Sequence, residues 1–190
     1  MVHWPHPTRI ADALRAVASR FPLVCVVLAV VAVTGQMVVD GWQSGPGRLL
    51  VAGTSGVPAL VATALFREAR PARVWPWSID VVVVALIGIF AWSWPHWTEE
   101  LAWRRLLHAN LAGLLAAAVL PFAGRGWRDA FWPYNRTLFV RFVVASIFTA
   151  VLFVGLLLAI VSIRELFGAT LPSDLEPRLF VALVTVFHPL

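Results

Sequence analysis

Five apolar stretches free of formal charge divide this sequence, at residues 21–39, 49–66, 81–98, 106–124 and 142–163, and ionisable residues end each of them. A helix of about 20 mostly apolar residues crosses the roughly 30 Å hydrocarbon core of a bilayer. In that solvent only a helix or a closed barrel satisfies its own backbone. The chain is 60% apolar and 13% charged, against roughly 45–50% and 25% in a soluble domain. The surplus is too large for one soluble core to hide. We therefore expect an all-α, polytopic transmembrane helix bundle with five full spans.

A sixth apolar run, residues 179–190, would rise only about 18 Å as a helix. It reads either as a re-entrant half-helix or as the start of a sixth span in a chain that continues past Leu190, and the second is our expectation. The 20 residues before the first run make too long a leader for a signal peptide, and no A-x-A site follows the run. Residues 8–20 instead place Ile10, Leu14, Val17 and Phe21 at spacings of four, three and four, with Arg9, Asp12, Arg15 and Arg20 on other faces. That pattern predicts an amphipathic helix in the membrane interface, capped by Thr8. The domain reading is an N-terminal segment over 1–20 and a transmembrane domain over 21–190.

Arginine placement sets the expected orientation. With the N-terminus inside, nine arginines fall in inner segments and five in outer ones, Arg141 being set aside as intramembrane. Positive residues favour the cytoplasmic side. The outer pair Arg104 and Arg105 is partly offset because Glu100 can pair with Arg104 at i,i+4. The ten tryptophans avoid mid-span positions, as amphipathic rings at headgroup level do. Trp127 and Trp132 are expected in the loop before the fifth span. The formal net charge of +5 is spread as punctuation between apolar runs rather than gathered on one face, so no nucleic-acid partner is expected. The expected partner is the lipid bilayer. All the basic residues being arginine, with abundant Ala, Val, Gly and Pro, points to a GC-rich bacterial source and so to an inner membrane.

Small residues mark expected contacts: Ala109, Gly113 and Ala117 in the fourth span, Gly155 and Ala159 in the fifth, Ala52 and Gly56 in the second. The segment carrying Gly53, Gly56 and Pro58 is a candidate helix break, the device by which transporters expose backbone carbonyls, or else a kinked packing helix. Intramembrane polar residues are the other candidates. Asp80 and Arg141 sit at matching depth near the cytoplasmic ends of their spans and are expected to pair. Gln36, His108 and Asn110 share a depth toward the outer side. No phosphate-binding loop, zinc-protease motif or nucleophile elbow occurs. His3 and His6 alone approach a metal-ligand spacing, and no metal or cofactor is expected. Cys25, the single cysteine, reads as a small buried hydrophobe.

The run Trp132-Pro133-Tyr134-Asn135-Arg136-Thr137-Leu138 leads into a long helix ending Ile163-Arg164-Glu165-Leu166-Phe167-Gly168, and Arg20-Phe21-Pro22 precedes the first span. In these points the chain resembles the N-terminal part of the bacterial multi-pass family called domain of unknown function 4153. The resemblance implies further spans in a longer protein and carries no catalytic residues with it. The expectation for function is a non-enzymatic membrane component, or the membrane domain of a larger protein; the alternative is a secondary transporter or permease for a small solute or ion. An enzyme acting on lipid-linked substrates ranks third, for want of an acidic or histidine cluster at one interface.

Overall fold

The computed structural model describes residues 7–42, 44–69, 78–93, 99–123 and 128–187. Every regular element among them is helical: α1 (Pro7–Arg20), α2 (Pro22–Val39), α3 (Ser44–Ala69), α4 (Ser78–Ser93), α5 (Glu99–Val119), α6 (Arg128–Phe167) and α7 (Leu175–Ala182). A single 3₁₀ turn, Leu120–Phe122, follows α5, and a π turn, Leu183–Phe187, follows α7. Four helices are long and apolar enough to cross a membrane, within Pro22–Val39, Gly45–Ala69, Glu100–Phe122 and Asp129–Phe167. The third apolar run is helical over Ser78–Ser93, 16 residues, a rise of about 24 Å.

The local chemistry explains the boundaries. Phe21 breaks α1 from α2, and Pro22 opens α2 at the position where a missing N–H has no consequence. At the far end Gly41 adopts φ 89°, and its N–H and that of Trp42 return to Val38 O and Met37 O, both at 3.0 Å. Only glycine takes that left-handed turn without strain. The amphipathic segment is helical as its spacing requires; Arg15 and Val17 are exposed. At the start of α5, Glu100 lies 3.7 Å from Arg104, the i,i+4 pair read from the sequence.

α3 is the hub. It packs against α2, α4 and α5, and its glycine- and proline-bearing segment supplies all three contacts. A Cβ on Gly53 would overlap Val31 of α2, and one on Gly56 would come within 3.0 Å of Ile87 of α4. On the third side Pro58 meets Gly113 of α5, where a Cβ would lie 3.0 Å from the proline ring. Residues 53, 56 and 58 point in three directions round a 3.6-residue helix. Dispersion between close backbones holds helices together where lipid supplies no hydrophobic drive. The candidate break at Gly53, Gly56 and Pro58 is therefore absent: α3 runs unbroken through Pro58, as in the alternative reading of a packing helix. The ring removes one N–H, and tight packing on all sides keeps the helix intact.

Of the small-residue stripes, Gly113, Ala117 and Gly56 are buried, but Gly155 and Ala159 are exposed, and nothing lies within 4 Å of a Cβ on Gly155. The reason is the course of α6. Its 40 residues span about 60 Å, and only 6% of its most apolar stretch is buried. α6 begins before Trp132, so Trp132 and the following Asn135-Arg136-Thr137 are helical rather than in a loop; Trp127 lies outside the described residues. The sixth apolar run becomes α7 and the π turn, which pack on α2; a Cβ on Gly35 would lie 2.7 Å from Val181.

Candidate functional site

The polar side chains gather at the two ends of the bundle. At one end Asp80, in the first turn of α4, is buried with its side chain 3% exposed. Its Oδ2 lies 2.7 Å from Arg67 Nη1 and its Oδ1 2.9 Å from Thr63 Oγ1. Thr63 and Arg67 are one turn apart on α3, so both reach α4 across one helix–helix seam. Thr63 Oγ1 also lies 2.9 Å from Leu60 O. A hydroxyl carries one proton, and the carboxylate is the stronger acceptor. Thr63 thus donates to Asp80. The start of a helix also favours a carboxylate there.

The side chains of Phe21, Val24, Leu60 and Ala64 wall this pair with Arg67 and leave a crevice of about 10 Å³, room for one water. Beside it, Arg20 closes a two-pronged contact on Glu68, both bonds 2.6 Å, and stacks 5.2 Å over Phe21. The Glu68 hydrogen bonds hold the Arg20 guanidinium above its ordinary value. Since Arg67 and Glu68 are consecutive, one turn of α3 ties down both α1 and α4. Nearby, Tyr134 of α6 donates to Ala117 O at 3.3 Å, and Phe122 meets the rings of Tyr134 and Phe131 edge-on.

Asp80 and Arg141 do not meet. Arg67 is closer in topology: Arg67 and Asp80 flank one short helix–helix connection, whereas among the described residues α4 packs chiefly on α3 and not on α6. Arg141 is exposed on α6. The sequence signal for Arg67 is its near-symmetric position with Asp80 about residues 70–77.

The opposite end carries a second clasp. Arg178 of α7 reaches Asp40 at the end of α2 and holds Asp174 at 2.6 Å. Gln36 donates to Arg178 O at 3.1 Å. Arg164 of α6 pairs with Glu176 at 2.6 Å. The Arg178 hydrogen bond depresses the Asp174 carboxyl, so this contact stabilises α7 above the unfolded aspartate range and is lost as pH falls through the lower folded value. The hydrogen-exchange protection of α7 in detergent, relative to the intrinsic exchange rate at each pH, is expected to stay constant from neutral pH down and to fall only below the usual carboxylate range; a loss of protection beginning near pH 7 would contradict that assignment.

Gln36, His108 and Asn110 do not form the cluster expected of them. His108 Nδ1 bonds Arg104 O at 2.7 Å and Asn110 donates to Leu106 O at 2.9 Å. Each satisfies itself on its own helix, while Gln36 serves α7. His3, His6, His96 and His188 lie outside the described residues, and among the described ones no group of three potential ligands could hold a metal. Ser55, mid-way along α3, is buried, and its hydroxyl has no hydrogen-bond partner among the described residues.

No family model, curated protein or solved structure matches the chain.

Proposed function

We propose that the chain is a non-enzymatic, multi-pass component of a bacterial inner membrane, or the membrane domain of a larger protein of the kind it resembles, domain of unknown function 4153. It crosses five times, by α2 to α6, with its N-terminus inside. One observation carries this reading: the polar side chains at both ends are spent on joining helices. Asp80, Arg67 and Thr63 fasten α3 to α4, Arg20 and Glu68 fasten α1 to α3, and Arg178, Asp40 and Gln36 fasten α7 to α2. Such groups lock a scaffold.

Orientation follows from the nine-to-five arginine bias. Reporter fusions after Arg70 and Arg128 are expected to read cytoplasm, and fusions after Gln43 and His96 periplasm. The reverse pattern would overturn the N-inside topology.

A second reading, a permease for a small solute or ion, has one observation in its favour. Ser55 holds a buried hydroxyl without a hydrogen-bond partner among the described residues, close in sequence to Thr54, whose carbonyl loses its helical donor at Pro58. A thermal-shift screen of the full chain against ions and metabolites separates the two. A stabilising ligand whose effect vanishes in Ser55→Ala favours transport; no stabilisation favours the scaffold.

A further inference from the structure

α6 is pinned at two levels and open between them. Low on the helix, Tyr134 donates to Ala117 O and Phe131 packs on Phe122. Higher up, Phe153 meets Phe180 of α7 at 5.4 Å, and Thr149 and Ile160 are buried. In the stretch between, Arg141 and Phe148 are exposed and Leu138 and Ala145 half-exposed. Seven residues return a helix to nearly the same side, about 10 Å further along. Arg141 therefore projects on the side of α6 that Tyr134 presents to α5. It has no ion pair or hydrogen-bond partner among the described residues. On the membrane reading a cation here stands at the cytoplasmic edge of the hydrocarbon, where an anionic partner lowers its cost.

We propose that this exposed face of α6 is a phospholipid site. The Arg141 guanidinium takes the phosphate of an anionic phospholipid, two parallel N–H donors matching two phosphate oxygens. An acyl chain lies along Ala145 and Phe148, toward the middle of the span. Charge complementarity selects this occupant over an apolar one: a purely hydrocarbon filler, or a second copy bringing another Arg141 across a two-fold axis, leaves the charge uncompensated. The site rests on the membrane reading above.

The test uses the full chain purified in a mild non-ionic detergent, incubated with phosphatidylglycerol and weighed by native mass spectrometry. Wild-type protein is expected to retain a bound phosphatidylglycerol. Arg141→Gln is expected to bind about tenfold more weakly, one charge-assisted contact being lost, and Arg141→Lys to fall between. Arg136→Gln, which removes an exposed arginine from roughly the opposite side of α6, is expected to match wild type. Ala145→Trp, which crowds this face one turn from Arg141 and leaves the arginine in place, is expected to expel the lipid. Equal retention by wild type and Arg141→Gln, or no retention by wild type, overturns the site, and so does lipid binding unchanged in Ala145→Trp. Failure of the membrane reading shows separately, as release of the protein from membranes at alkaline pH.

Discussion

Arg67→Gln is expected to destabilise the bundle by about 3–5 kcal/mol, because it leaves the Asp80 carboxylate buried without its counter-charge. Asp80→Asn is expected to have the smaller effect. Asparagine still accepts the Thr63 hydrogen bond, and Arg67, a quarter exposed, can extend its guanidinium toward the interface. The double variant is expected to lose at least ~1 kcal/mol less than the sum of the single losses, as contacting charges do. Arg141→Gln combined with Asp80→Asn is expected to be additive. Denaturant titration in detergent micelles measures all of these. Additivity of Arg67→Gln with Asp80→Asn, or coupling of Arg141 with Asp80, would overturn the assignment of the pair.

Gly113→Ala is expected to cost about 1–3 kcal/mol. The new Cβ would lie 3.0 Å from Pro58 Cβ and Cγ and 3.1 Å from Ala59 N. Backbone and a proline ring cannot rotate away, so α5 must move off α3 along the whole seam. Gly155→Ala adds the same methyl group where nothing lies within 4 Å and is expected to stay within about 0.5 kcal/mol of wild type. Equal losses at the two glycines would mean that the α3–α5 contact is not close-packed.

The helices were legible because apolar run length and charge placement act locally. Residues 8–20, the start of α2 at Pro22 and the Glu100–Arg104 pair needed no knowledge of neighbours. Choice of partner depended on tertiary arrangement. Depth alone allowed Asp80 to meet Arg141, and only the hairpin of α3 and α4 gives it Arg67. The same holds for Gly53, Gly56 and Pro58, whose composition fits both a broken helix and a packing helix. Which it is depends on whether α2, α4 and α5 press on those positions. Gly155 and Ala159 show the converse, small residues whose neighbours leave them open because α6 stands away from the hub. Gln36 lies in the last turn of α2, but its partner is a backbone carbonyl of α7, which no side-chain pattern announces.

The most direct measurement of the central claim is extraction of bacterial membranes containing the full chain with alkaline carbonate, which strips peripheral proteins and leaves integral ones. A bundle whose long helices cross the bilayer, with apolar side chains such as Leu107, Ile147 and Leu158 more than half exposed on its outer face, is expected to stay entirely in the membrane pellet. Recovery of the protein in the soluble fraction would contradict the account.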